Sequence, residues 1–418
     1  MGEPLALDGG RPTHPGPWPS WPRVTPEAEA AVLEVLRAGT WCSAAQGAEV
    51  VRQAEREFAA LHSPGSAAPG SPAADGEGEL DAVAVTSGTT ALMLALQAAG
   101  VQAGDEVLVP PYTFIATASA AVFLGAVPVF VDVEPGTLNL DPEAVERAWT
   151  PRARAVVAVH LGGCPADLGG LARVCREHGL ALIEDACQAP GAAWGGRPVG
   201  SWGSFGCFSF QESKNISAGE GGMVTGRGQP LAVVRSLHNV GRVPAGGWYQ
   251  HERVGYNFRL TGLQAALVRA QLPRYPDAMR QRAAAAARLT ALLRDVPGIQ
   301  PLTVPAEASA HAWHLYIFRY DPGCFGGRSR AEFCRAMAAE GIPVSSGYRP
   351  LHQNRALMEA AAAGARRVGR EPDAPRPLPV AEEAGQHCCW LGQTVLLAEE
   401  ADLVQLASAM RRIQRAWG

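Results

Sequence analysis

Apolar and polar positions divide the chain into two rhythms. From residue 80 onward, short apolar runs alternate with helical stretches. The pattern predicts strands at 82–86, 106–109, 127–133, 155–161 and 181–184, separated by helices at 91–99, 115–124, 142–149 and 166–178. The strands are apolar throughout instead of alternating, the pattern of a parallel sheet covered on both faces by its crossover helices. Strands at 205–210 and 223–225 bracket a polar loop, and helices follow at 261–275 and 277–296. The alanine run inside the second of these expresses helix propensity and nothing more specific. After Gly298 the rhythm becomes a strand at 314–320, a helix near 330–340, a strand at 342–345 and a closing helix at 399–416.

Upstream, Pro15-Gly16-Pro17-Trp18-Pro19-Ser20-Trp21-Pro22 is too proline-rich for a helix. Residues 1–24 are therefore an extended arm that must lie on another surface to bury its tryptophans. Thr25-Pro26-Glu27 caps a helix over 27–38 that Gly39 ends, and 50–61 repeats the helical period. The Ser/Pro/Ala/Gly-rich stretch 63–78 reads as a surface loop without catalytic meaning. With 418 residues exceeding what one core usually serves, the expected division is an arm (1–24), a large domain (25–276) and a small α+β domain (277–418).

Composition narrows the partners. A net charge of −4 argues against a nucleic-acid or anionic-membrane surface, and no run of 18 apolar residues is present. No signal-peptide pattern opens the chain. Nine cysteines, an odd number without a CxxC pair, favour reduced thiols in a cytoplasmic protein. His387-Cys388-Cys389 is a poor tetrahedral clip, so no metal is expected.

Charge usage points to the chemistry. Of the 36 lysines and arginines, Lys214 is the only lysine. A guanidinium can replace an ammonium that merely carries charge. It cannot replace an amine that must lose its proton and attack a carbonyl. A single retained lysine therefore indicates Schiff-base formation, although drift in an arginine-rich chain would leave the same count. Loops that follow parallel strands gather at one sheet edge, where open α/β sheets bind ligands. Ser87-Gly88-Thr89-Thr90 leads from a strand into a helix there and suits a phosphate, as it would suit a plain helix cap. Asp185 ends a buried strand at the same edge. Facing a pyridine nitrogen, it would contribute about 4 kcal/mol at ~4 Å and an effective dielectric of about 20. That is enough to keep the ring protonated. Tyr112-Thr113-Phe114 offers an aromatic face or simple core packing, and Ser209 is a second hydroxyl for the phosphate. Together these pieces describe a pyridoxal phosphate site.

At this point the chain resembles a family. Glu184-Asp185-Ala186-Cys187-Gln188-Ala189, Val199-Gly200-Ser201, Ser209-Phe210-Gln211-Glu212-Ser213-Lys214, Gly219-Glu220-Gly221-Gly222 and Gly255-Tyr256-Asn257-Phe258-Arg259-Leu260 are similar to the DegT/DnrJ/EryC1/StrS sugar aminotransferases. The resemblance implies an α/β, pyridoxal-phosphate-dependent fold-type I architecture like aspartate aminotransferase. A large domain with a mostly parallel seven-stranded sheet would carry a smaller C-terminal α+β domain. It also implies a homodimer with shared active sites. By position, Lys214 binds the cofactor and moves protons, Asp185 pairs with the ring nitrogen, Gln188 touches the ring hydroxyl side and Phe114 stacks. Gly88, Thr89, Thr90 and Ser209 hold the phosphate, with Asn257 reaching it from the second subunit. His160, Gln211, Arg259 and Tyr348, together with Trp41, are the implied substrate-facing residues.

Within the family, members acting on nucleotide sugars often carry histidine at the place of Gln211. Those acting on cyclitols and aminoshikimate-type carbocycles often carry glutamine. The arm and the segment Cys389-Trp390-Leu391-Gly392-Gln393-Thr394 also resemble the branch of scyllo-inosose aminotransferases and 3-amino-5-hydroxybenzoate synthases. Gly162-Gly163-Cys164-Pro165 and the long 63–78 loop depart from the pattern. The function implied is transfer of an amino group from L-glutamine or L-glutamate to a keto-cyclitol or keto-sugar. Its rivals are an aminoshikimate-type dehydratase, a nucleotide-linked ketosugar aminotransferase, and a non-catalytic regulator that has kept the fold. Retention of Lys214 speaks against the regulator and against dehydratases that replace this lysine by histidine.

Overall fold

The computed structural model describes residues 4–42, 48–63, 78–243, 246–247, 249–370 and 376–418. In chain order the elements are α1 (Pro26–Ala38), α2 (Ala48–His62), β1 (Asp81–Val85), α3 (Gly88–Ala98), β2 (Glu106–Val109), α4 (Ala116–Phe123), β3 (Val127–Phe130), α5 (Pro142–Ala148), β4 (Ala153–Val159), α6 (Leu168–His178) and β5 (Ala181–Asp185). A small hairpin, β6 (Ala193–Trp194) and β7 (Arg197–Pro198), precedes β8 (Phe205–Ser209), β9 (Gly222–Gly226), α7 (Gly228–Leu237), α8 (Gly262–Gln271) and α9 (Tyr275–Leu293). The remainder comprises β10 (Ile299–Pro301), β11 (Leu315–Tyr320), α10 (Arg330–Ala339), β12 (Val344–Ser346), α11 (Arg355–Arg367), α12 (Pro379–His387), β13 (Cys388–Gly392) and α13 (Glu400–Trp417).

A seven-stranded sheet runs in the order β1-β9-β8-β5-β4-β2-β3. Only β9 is antiparallel to its neighbours, β1 and β8. Consecutive residues of each strand bury on opposite faces. Ala82, Leu108, Val156 and Leu182 pack with α2, α5, α6 and α8. Val83, Val107, Val157 and Ile183 pack with α3, α4 and α7. Both faces are dry, which is why the strands read as unbroken apolar runs.

A second sheet, β10-β11-β13-β12, is antiparallel and packs with α9, α10 and α13. Helices α11 and α12 return to the first sheet, where Leu357, Ala381 and Ala384 join the core of β2, β4 and β5. The sequence pattern did not anticipate α7, α11, α12, β10 or β13. Residues 349–379 are rich in Ala, Gly, Arg and Pro and offer little apolar contrast from which a period can be read. Of the loop expected over 63–78, residues 64–77 lie outside the described residues.

The arm is fastened to the second sheet's helices. Buried Glu340 accepts hydrogen bonds from the Ala6 N–H (2.9 Å), the Thr13 N–H (2.9 Å) and the Thr13 hydroxyl (2.6 Å), and pairs with Arg412. Trp18 stacks on His14 and donates its indole N–H to the Gly341 carbonyl at 2.8 Å.

Candidate active site

The carboxyl ends of β1, β2, β5 and β8 meet one cavity of about 860 Å³. Lys214 lines it from the turn after β8, alongside Gly88, Thr89, Phe114, Asp185, Gln188, Ser209, Gln211 and Tyr348. Burial lowers the Lys214 pKa, and interaction with Cys187 and Asp185 opposes part of that shift. A larger share of free amine is therefore present near neutrality than on a surface lysine.

Asp185 is the last residue of β5 and only 6% exposed. Its Oδ2 accepts from Thr117 Oγ1 on α4 at 2.7 Å, and its Oδ1 from the Cys187 N–H at 3.3 Å. Both donors are neutral, and no arginine lines the cavity among the described residues. A buried carboxylate with no guanidinium partner is suited to a protonated ring nitrogen. Phe114, 57% exposed despite its size, leaves an aromatic face on the cavity wall.

The phosphate end is built by a close approach. A Cβ on Gly88 would lie 2.7 Å from Cys187 Sγ and 2.9 Å from Ser209 Cβ, so only glycine lets the N-terminus of α3 settle there. The helix begins at Gly88, not at 91 as the pattern predicts, because Ser87 is its N-cap. Gly88 and Thr89 thus offer first-turn amides beside the Ser209 hydroxyl, a donor set that fits a phosphate. Thr90 is used differently. Its Oγ1 donates to the Ser87 carbonyl and accepts from the Ser87 N–H within a capping box, and it does not line the cavity.

Other expectations part in the same way. His160 is fully buried. Its Nδ1 accepts from the Ala166 N–H at 3.0 Å, so Nε2 carries the proton and faces Glu184 at 3.3 Å. Both ring nitrogens are spent on scaffold, and His160 does not line the cavity. Glu184 in turn accepts from the Gly200, Trp202 and Gly203 amides, which gives the Val199-Gly200-Ser201 motif a structural reason. Trp41 donates to the Leu36 carbonyl and likewise does not line the cavity. Asn257 is exposed on this chain, and Arg259 bonds Asn239 at 3.1 Å; neither lines the cavity.

Gln188 and Tyr348 are joined. Gln188 Oε1 accepts from the Gly162 N–H at 2.7 Å while its Nε2 donates to the Tyr348 hydroxyl at 3.1 Å. The Gly162-Gly163 pair has a backbone cause: both have positive φ, and a Cβ on Gly163 would meet the Trp313 nitrogen at 2.8 Å and the Gln188 carbonyl at 2.9 Å. Gln211 lines the cavity, and its Oε1 accepts from the Ser213 N–H at 2.9 Å and the Ser213 hydroxyl at 2.7 Å.

Four further contributors are not among the residues the sequence singles out. Asn215 Nδ2 donates to the Ala312 carbonyl at 2.7 Å, so its Oδ1 faces His314 Nδ1 at 3.0 Å. That nitrogen must be the donor, which leaves the Nε2 lone pair of His314 as the ring's other end. Burial, and then the charges of Lys214 and Arg282, hold the His314 pKa well below its ordinary value. Arg282, fully buried on α9, donates from Nε to Gln393 Oε1 at 3.0 Å. Trp21 of the arm is the fourth. Each draws its role from a contact with a residue distant in the chain, and no local pattern marks it. Among the described residues no group of three or more His, Cys, Asp or Glu is arranged to hold a metal, and no helix is long and apolar enough to cross a membrane.

A mostly parallel seven-stranded sheet whose cavity holds a partly buried lysine and a strand-end aspartate defines the fold-type I class of aminotransferase. Comparison with known proteins agrees. The DegT/DnrJ/EryC1/StrS aminotransferase family profile matches residues 23–410, and the chain belongs to that family. It is an enzyme that acts as a transaminase. It is 38% identical over 433 residues to the L-glutamine:2-deoxy-scyllo-inosose aminotransferase of Streptomyces fradiae, covering 99% of this chain and 98% of that one. Identity to the 3-amino-5-hydroxybenzoate synthase of Amycolatopsis mediterranei is 36% over 390 residues, 92% and 94% of the two chains. A crystal structure of 3-amino-5-hydroxybenzoic acid synthase superposes with a TM-score of 0.83 at 33% identity, covering 96% of this chain and 99% of the other.

Proposed function

We propose that the protein is a pyridoxal 5'-phosphate-dependent aminotransferase that moves an amino group from L-glutamine or L-glutamate to a ring ketone of the keto-cyclitol class. The observation that carries this reading is the chain's single lysine, its amine favoured by burial, in the cavity that also holds a guanidinium-free Asp185. When bound, pyridoxal phosphate supplies an aldehyde for that amine and a ring that withdraws electrons. Gly88, Thr89 and Ser209 would hold its phosphate, Phe114 its face and Gln188 its hydroxyl side. Asp185, oriented by Thr117, keeps a proton at the ring nitrogen. Lys214 then takes and returns the proton at the substrate carbon. In a homodimer, Asn257 and Arg259 would serve the partner's phosphate end.

The acceptor class follows from what the cavity lacks. Among the described residues no arginine lines the cavity, so they present no bidentate guanidinium partner for a diphosphate or a carboxylate. A neutral polyhydroxylated ketone suits the amides and hydroxyls present, and the 2-deoxy-scyllo-inosose aminotransferases are similar over nearly the whole chain. An aminoshikimate-type substrate would bring a carboxylate, and among the described residues no arginine lines the cavity to pair with it.

The protein supplied with cofactor should show a visible band that an amino donor removes and a keto-cyclitol restores. Restoration only by a nucleotide-linked ketosugar would move the assignment to that class. An ultraviolet-absorbing aromatic product from an aminoshikimate-type substrate would select the dehydratase. Absence of any Lys214-dependent chromophore would end the reading.

A further inference from the structure

Aminotransfer as described leaves the proline-rich arm without a task, yet the structure carries the arm to the lysine. Trp21 lines the cavity, and its indole N–H is shared between the main-chain carbonyls of Glu212 at 2.9 Å and Lys214 at 3.1 Å. Glu212 and Ser213 are exposed, and the turn's own ties are local: the Lys214 N–H donates to the Gln211 carbonyl at 2.8 Å, and Ser213 to the Gln211 side chain. The arm supplies its contact from more than 190 residues away in sequence. The indole is itself held. The Arg282 guanidinium lies 5.6 Å from its ring centroid, and that arginine is anchored by Gln393. Upstream, Trp18 and Thr13 fix the arm to Gly341 and Glu340.

We propose that Trp21 is a positioning residue for Lys214: its indole N–H holds the lysine-bearing turn, and its ring closes the cavity wall beside the amine. The arm is then part of the active site and not a tether. Two separable effects follow. The hydrogen bond sets where the lysine main chain sits, and a shift of about 1 Å in a reacting group can slow a reaction by roughly a hundredfold. The ring excludes water, and that exclusion favours the uncharged amine. The groups that also act on this amine are Asp185 and Cys187 after β5 and, across the cavity, neutral His314. None of them is altered by changes at Trp21.

The proposal rests on the reading of Lys214 as the reacting amine, and the chain's single lysine allows a test that does not need turnover. Labelling with isotopic lysine gives one ε-methylene signal, whose titration in the cofactor-free protein reports the amine directly. Trp21→Ala should titrate at higher pH than wild type, because water reaches the amine. Trp21→Phe keeps a ring and loses the donor. It should melt with the wild type, yet lose about tenfold in the rate constant of the donor half-reaction at unchanged donor KM. A Trp21→Ala titration superimposable on wild type, or a Trp21→Phe half-reaction at the wild-type rate, overturns the proposal. If the wild-type holoprotein itself ignores amino donors, the aminotransferase reading fails, while the lysine titration still decides the role of Trp21.

Discussion

Thr117→Val isolates how much the site depends on an oriented carboxylate. Thr117 is 1% exposed and its hydroxyl donates to Asp185 Oδ2 at 2.7 Å, while Thr113 Oγ1 lies 3.3 Å from the Thr117 hydroxyl oxygen itself. Valine keeps the shape, so no cavity opens and the loss is purely polar. A buried hydrogen bond to a charged acceptor contributes about 1.5–3 kcal/mol, and Asp185 would keep only the longer bond from Cys187. The unfolding free energy should therefore fall by about 2 kcal/mol, read as a lower denaturant midpoint at unchanged slope. The released carboxylate can rotate, and the donor half-reaction should slow by roughly ten- to a hundredfold. Thr117→Ser, which restores the donor, should recover most of both losses. If the valine variant matches the serine variant in midpoint and rate, orientation of Asp185 by Thr117 is not part of the site's working.

Three further outcomes are expected. Lys214→Arg should fold and still bind cofactor, with no turnover and no lysine-dependent visible band, because a guanidinium cannot supply a free amine; measurable transamination would refute the assignment. Burial depresses His62 and His238 from 6.5 to about 4, so the unfolded chain binds protons that the folded one refuses. Stability should hold above about pH 6.5 and fall progressively toward pH 4, visible as a declining melting temperature. Glu340→Ala should free the arm, since three arm donors lose one buried acceptor and Arg412 loses its ion-pair partner; faster limited proteolysis within residues 4–20 checks this, and an arm as protected as in wild type would refute it.

Much of this protein is legible without its fold. The apolar runs from 81 to 226 mark the parallel sheet, because strands buried on both faces are apolar except where a polar side chain finds a buried partner, as Glu184 does near the carboxyl end of its strand. The lone Lys214, Asp185 at the end of its strand, and Ser87 before α3 are local signals. Each depends only on neighbours in the chain and on chemistry that other residue types cannot perform.

Long-range contact decided the rest. Thr90 and His160 carry the right residue types, but one is consumed by a helix cap and the other by Glu184 and Ala166. Gly88 is needed because Cys187 and Ser209 arrive beneath it from two other strands. Thr117, Asn215, His314 and Trp21 act through partners that only folding brings near, so no periodicity or spacing could announce them. A side chain's identity states which bonds it is able to make. Which of them it makes is settled by whatever the folded backbone places within about 3 Å, and that distance is a property of the tertiary structure.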